Sequence, residues 1–216
     1  QFLNYLFYFY KMNQTLERLI GQLIIAGFRG SNAAPDSPIA NFIKDYNLAG
    51  VILYDEDVKI GGLGSRNIQS PIQVKDLSDQ LQSFSKDGLL ISIDQEGGGT
   101  NRLKSNYGFP ETPSWNHMGL LDNDLMTLQF SQTIASTLND CGINVNFAPV
   151  LDLDYGDETV IGKGKRANSP LPKTVIHNSR IFIHCLRDNN VIDFLSCEFC
   201  IVFIFLKLRL SIFLFS

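Results

Sequence analysis

Four short apolar runs, three of them closing on acidic clusters, restrict what this chain can fold into more than any other feature of its sequence. They are "LIIAGF" (Leu23 to Phe28), "AGVILY" (Ala49 to Tyr54), "LLISID" (Leu89 to Asp94) and "INVNFAPVLDLD" (Ile143 to Asp154). Runs this apolar have no polar face to turn to water, so they read as strands buried on both sides, the condition of a parallel sheet. The segments between them carry helical spacing. Val74, Leu77, Leu81 and Phe84 form one stripe, Met126, Phe130, Ile134 and Leu138 a second, and Val175, Phe182, Ile183 and Leu186 a third. Ser70-Pro71 and Ser169-Pro170 fit helix starts, because proline is tolerated in the first turn, where its missing N–H would have no partner. Strands alternating with helices give an α/β fold with parallel pairing and helical crossovers. No low-complexity linker or repeat divides the region, and 216 residues at 44% hydrophobic content suffice for one sizeable core.

The polar clusters sit where function is expected. In parallel α/β sheets and barrels, ligands bind at the carboxyl ends of the strands, where the loops leave the core. "LYDED" follows the second run, "IDQEGGG" the third and "VLDLD" the fourth. The glycines at 97 to 99 allow a sharp turn and a close approach to a ligand. A phosphate-cradling loop is the competing reading, but neither the G-x-G-x-x-G nor the P-loop pattern occurs. A small neutral polar ligand such as a sugar suits carboxylates and an arginine better. With 18 Lys and Arg against 22 Asp and Glu, the charge balance is mildly acidic and argues against a nucleic-acid partner.

Four cysteines (Cys141, Cys185, Cys197 and Cys200) are too few and too unevenly placed for a disulfide framework, so a reducing, cytoplasmic setting is expected. Cys197 and Cys200 form a single C-x-x-C with no second pair and no nearby histidine, which does not argue for zinc; no metal and no other cofactor is expected. Both ends differ from the middle. Residues 1–11, "QFLNYLFYFYK", form an apolar leader without a basic n-region or cleavage site, and Met12 is the expected start. Residues 193–216 form an apolar tail in which Lys207 and Arg209 intervene before about 18 uncharged residues accumulate, so a membrane-spanning helix is not expected.

Five stretches resemble the N-terminal domain of glycoside hydrolase family 3, in its β-N-acetylhexosaminidase branch. They are "AGVILYDEDV", "RNIQSPIQVKDLSDQLQSF", "LLISIDQEGG" with "NRL" following, "GINVNFAPVLDLD" and "VIGKGKRANS", in the family's order and near its spacing. The resemblance covers residues 12–192 and implies a (β/α)8 barrel that hydrolyses terminal β-linked N-acetylglucosamine with retention of configuration and without a metal. It implies substrate-binding roles for Asp94, which accepts hydrogen bonds from sugar hydroxyls, for Arg102, eight positions on, and for Arg166. Beside these stand plainer readings: a carboxylate bonding loop N–H groups for Asp94, and surface ion pairs for the two arginines. Gln95 and Glu96 are expected to brace the loop, and Asp57 to lie in a solvated loop.

Departures from the family pattern are equally specific. Gly99 stands where the family has an arginine. After Val191 and Ile192, the family's Lys-His-Phe-Pro-Gly-His stretch is replaced by "DFLSCEFC". The general acid/base histidine and the nucleophilic aspartate of the family are therefore expected to lie beyond the chain. His117, His177 and His184 do not occupy that motif, and the last two are expected to be structural. A complete barrel takes about 250 residues, so the expected architecture is an incomplete one holding about the first four to five β/α units, without turnover on its own. Two other readings remain at this stage: a carbohydrate-binding remnant, and a membrane-associated interaction protein using the C-terminal apolar run. Oligomeric state is not legible.

Overall fold

The computed structural model describes residues 16–195; the leader 1–11, Met12, and the tail with Cys197 and Cys200 lie wholly or mostly outside them. In chain order the elements are α1 (Leu16–Gly21), β1 (Ile25–Gly27), α2 (Pro38–Tyr46), β2 (Gly50–Leu53), α3 (Pro71–Phe84), β3 (Leu90–Ile93), α4 (Trp115–Leu121), α5 (Asp124–Asp140), β4 (Val145–Asn146), α6 (Val160–Lys163), α7 (Pro172–Asp188) and β5 (Ile192–Asp193). The strands form one sheet in the order β1-β2-β3-β4-β5, every neighbouring pair parallel. This order matters. A doubly wound sheet reverses its strand order at a switch point, whereas strands laid down strictly in sequence, each joined to the next by a right-handed crossover, collect their helices on one side and curl as a barrel does.

The apolar runs become strands for the expected reason. All four residues of β2 are buried, as are Ile91, Ser92 and Ile93 of β3, and Ser92 Oγ donates to Val51 O at 2.8 Å, so the one hydroxyl within β3 is satisfied. Leu89 and Leu90 bring the run in from the helix side, with Leu90 half-buried. "INVNFAPVLDLD" keeps only two residues of regular strand. Phe147 N still donates to Ile93 O at 2.9 Å, but Pro149 has no N–H to continue the ladder, and the chain leaves the sheet in irregular backbone. Ile192 and Asp193 supply the fifth strand, paired with Val145 and Asn146.

The helical stripes fill the space behind the sheet. Val74, Leu77 and Leu81 of α3 are fully buried, with Phe84 packed at their edge. In α5, Phe130, Ile134 and Leu138 point inward as expected, but Met126 is 42% exposed, and the inward place one turn before Phe130 belongs to Thr127. The stripe drifts because successive four-residue steps overrun the 3.6-residue turn. In α7, Val175, Phe182 and Leu186 are buried, joined by Cys185, while Ile183 lies at the margin. Trp115 of α4, Phe130 of α5 and Phe182 of α7 stack into one aromatic cluster with ring centroids 5.6 to 5.9 Å apart.

Ser70 caps α3 as expected, its hydroxyl accepting from Gln73 N with Pro71 in the first turn. Ser169-Pro170 does not start α7. The helix begins at Pro172, because a residue before proline is held extended (Leu171 φ −97°, ψ 117°); Ser169 instead accepts from Leu171 N at 3.1 Å. Burial predicts a sharp contrast in α5. Ile134→Ala should lower the unfolding free energy by about 2 to 5 kcal/mol, and Met126→Ala should stay within about 0.5 kcal/mol. Urea titrations at unchanged slope check both values, and equal losses would contradict the orientation of the helix.

Candidate active site at the carboxyl ends of the strands

Asp94 is the first residue past β3, at the sheet's carboxyl edge, and its side chain is a quarter exposed. The chain must leave the sheet there and return, and "QEGGG" does so through two left-handed glycines. Gly97 (φ +87°) and Gly98 (φ +59°) close a small turn in which Glu96 N donates to Thr100 O at 2.9 Å. Their close approach is to the protein itself and not to a ligand space. A Cβ on Gly97 would stand 2.3 Å from Pro113 O, and one on Gly98 2.5 Å from Ser114 Cβ. Gly99 lies outside the left-handed region with room around it, so its departure from arginine leaves the turn intact.

Gln95 braces the loop, as expected. Its Oε1 accepts from both Arg102 N and Leu103 N at 3.0 Å, and its Nε2 donates to Asn101 Oδ1 at 2.7 Å. The returning strand of the loop is thereby held against the outgoing one. Arg102 consequently meets Asp94, with Nη2 to Oδ2 at 3.3 Å, and its Nη1 stands 3.8 Å from Asp55 Oδ1. The same guanidinium lies 5.4 Å from the centre of the Tyr54 ring. Asp55 and Glu56, from the polar cluster after β2, both pair with Lys104, which completes a ladder of alternating charge.

Arg166 reaches the same mouth by another route. It follows α6 and clamps Glu96 with two hydrogen bonds, Nη2 to Oε1 at 2.7 Å and Nε to Oε2 at 2.9 Å, the fork geometry that favours arginine over lysine. Glu96 is almost fully buried. Burial raises its carboxyl above the ordinary range, and Arg166 partly offsets this by favouring the charged form. Hydrogen bonding to Glu96 raises the pKa of Arg166, with the charges of Asp94 and Asp152 adding to it. Asp94 and Arg102 are thus in direct contact, while Arg166 is tied to the neighbouring Glu96.

Asp57 is not in a solvated loop. It is buried in an ion pair with Arg29, and it accepts from Lys59 N at 2.9 Å; these bonds hold its carboxyl down from the usual 3.8 to about 2. An acidic cluster in a glycine-containing loop looks solvated in sequence, and the partner lies 28 residues away. His177 and His184 sit on the outer helix α7, exposed, with His177 Nε2 2.8 Å from Asp124 Oδ1; His117 is exposed on α4. Among the described residues no group of three or more His, Cys, Asp or Glu side chains is placed to hold a metal ion.

Sequence reasoning passed over the amides that set this geometry. Asn146, fully buried in β4, accepts from Gln95 N at 3.0 Å and donates to Gln95 O at 3.1 Å. Asn67 joins the segments that follow β1 and β2, donating to Gly30 O at 2.9 Å and accepting from Tyr54 N at 3.0 Å. The available signal was a polar residue at an inward position of an apolar run, as in "INVNF".

Residues 15–195 match the glycosyl hydrolase family 3 N-terminal domain. The chain belongs to this family. Among curated proteins, a beta-hexosaminidase of Alkalilimnicola ehrlichii is 36% identical over 138 residues, which is 60% of this chain and 38% of that protein. Another, from Hydrogenovibrio crunogenus, is 30% identical over 184 residues, 80% of this chain and 47% of that protein. Among solved structures, a glycoside hydrolase family 3 beta-N-acetylglucosaminidase from Paenibacillus sp. str. FPU-7 superposes with a TM-score of 0.72 at 31% identity, over 83% of this chain and 32% of that one. The chain thus spans less than half the length of these relatives. Within the family's parallel α/β domain, it carries the strands that present Asp55, Asp94 and the loop to Arg102.

Two outcomes test this geometry. Gly97→Ala meets both a left-handed backbone and a carbonyl oxygen, so it should destabilise by more than about 1 kcal/mol, whereas Gly99→Ala should be neutral or mildly stabilising. Thermal unfolding of the two variants checks this. Because the folded pKa of Asp57 is depressed, its contribution is fully present above about pH 4 and is lost as pH falls toward about 2. Asp57→Asn should therefore flatten the loss of stability over that window in acid titrations, and an unchanged slope would remove Asp57 from the account.

Proposed function

We propose that the chain is the sugar-binding part of a glycoside hydrolase of β-N-acetylhexosaminidase type, directed at terminal β-linked N-acetylglucosamine through Asp94, Arg102 and Arg166 and without turnover of its own. The observation that carries this reading is the contact of Asp94 with Arg102 at 3.3 Å on the open carboxyl edge of the sheet. A carboxylate with one oxygen on a guanidinium keeps lone pairs for two adjacent sugar hydroxyls, and such charge-assisted bonds are the strong class. Family membership supports the reaction type, and the names of the curated relatives support the hexosamine. No cofactor enters the reading. A reducing, cytoplasmic setting fits the free thiols of Cys141 and Cys185. No described helix is long and apolar enough to cross a membrane.

Retaining glycosidases need a nucleophile and a proton donor beside the scissile bond. In the described domain the buried carboxylates near Asp94 are already engaged: Asp55 by Lys104, Glu96 by Arg166. Groups that only hold the sugar bind ground state and transition state about equally, which lowers KM without accelerating the chemical step. The second reading, a carbohydrate-binding module, draws on the same fact.

Equilibrium binding separates these from failure. The 216-residue chain should bind N-acetylglucosamine, and Asp94→Asn should weaken binding by about 2 kcal/mol, roughly 30-fold. The same chain should release no aryl alcohol from an aryl β-N-acetylglucosaminide above background. Hydrolysis abolished by Asp94→Ala would place the catalytic groups inside this chain, and absence of sugar binding would overturn the site.

A further inference from the structure

The first strand lies beside an apolar groove that none of Asp94, Arg102 and Arg166 lines. β1 pairs with β2 on one side and, among the described residues, with no strand on the other. Next to it is a cavity of about 720 Å³, lined by Ile20 of α1, by Ile24, Ala26 and Phe28 in and around β1, and by Phe42 of α2. Of its lining residues only Glu17 and Arg29 carry charge. The apolar surface continues outward. Leu16 is 68% and Phe42 52% exposed, and Phe42 pairs with the exposed Tyr46 one turn on, their ring centroids 5.6 Å apart. A free strand edge beside a contiguous apolar surface invites pairing with other chains unless something covers it.

The sequence supplies a segment of matching chemistry. Residues 1–15 precede α1 directly, and from Phe2 to Tyr10 every residue except Asn4 is aromatic or aliphatic. Such side chains fill an apolar space with their rings and, in tyrosine, leave a hydroxyl for water at the rim. Their reach is sufficient. An extended residue spans about 3.3 Å, whereas the six residues of α1 rise by only about 9 Å, so residues 2–10 can fold back across that helix into the groove. Tethering decides between occupants. A segment joined to its site by a short linker acts at an effective concentration on the order of millimolar, which outcompetes a second copy of the chain offered at micromolar concentration. The apolar tail 193–216 is placed less well, because it leaves from β5 at the opposite edge of the sheet. We propose that residues 2–10 dock in the groove of their own chain and cover the β1 side of the sheet. The leader that stands apart in composition is then part of the folded domain, and this holds whether or not the mouth binds a sugar.

Photo-crosslinking of the full 216-residue chain tests this. Phe42→p-benzoylphenylalanine sets a reactive ketone at the groove. Irradiated at micromolar concentration in a mixture of isotope-labelled and unlabelled chains, then digested, it should yield peptides that join position 42 to residues 2–10 with matched labels, the sign of a contact within one chain. Ile192→p-benzoylphenylalanine, at the opposite edge, should capture none of residues 2–10. Adding Phe7→Asp and Phe9→Asp should lower the yield at position 42 by about tenfold, because an ionised carboxylate is costly to bury in an apolar groove. Peptides of mixed label would put a second copy in the groove, and peptides from residues 193–216 would put the tail there; either overturns the proposal. So do the absence of any cross-link, equal capture from Ile192, and an unchanged yield in the aspartate variant. Should the Phe42 variant fail to fold, the same substitution at the exposed Tyr46 decides in its place.

Discussion

The buried amide of Asn146, bonded to both backbone groups of Gln95, is the contact on which the mouth depends. It replaces a rung of the sheet where β3 and β4 stop pairing, and it does so with a side chain that can reach beyond the ladder. The backbone of Gln95 is thereby fixed between Asp94 and Glu96, and its own side chain then sets the amides of Arg102 and Leu103. One buried contact thus orients an acceptor, the partner of Arg166 and the guanidinium opposite Asp94. Asn144 does the same at the other end of β4, spanning Leu89 O and Ile91 N. In a low-dielectric interior, such satisfied amides hold position more firmly than the same bonds in water.

Charge at the mouth is arranged by pairing and not by surplus. Carboxylates and cations alternate from Glu56 through Lys104, Asp55 and Arg102 to Asp94, so each side chain is held by neighbours of opposite sign. Partly buried pairs of this kind need not add stability, because desolvation offsets their attraction. Their worth lies in fixing side-chain direction before a ligand arrives, which reduces what binding has to order.

Much of the architecture could be read from the chain because burial on both faces leaves an unmistakable signal in strands such as "GVIL" and "LISI". The cap at Ser70 was equally legible, since Ser-Pro at a helix start is a local matter. What escaped reading depended on distance. Asp57 looks solvated until Arg29, from the preceding unit, folds over it, and Asn146 looks like a break in an apolar run until Gln95 is placed beside it. Met126 failed for a subtler reason: four-residue steps track a helix face for only two or three turns before the face rotates past Thr127. Asp94 and Arg102 were singled out by their motif, and their contact follows from the two-glycine turn between them.

The aromatic cluster beneath the mouth has an optical consequence. Trp115 is the single tryptophan of the chain, and it is fully buried, its indole N–H donating to Val150 O at 3.0 Å, with Phe130 and Phe182 against its ring. All tryptophan emission therefore originates at one point, where α4, α5 and α7 meet the chain leaving β4. A shift of that emission to the red reports water reaching this junction, and no other part of the molecule contributes to the signal.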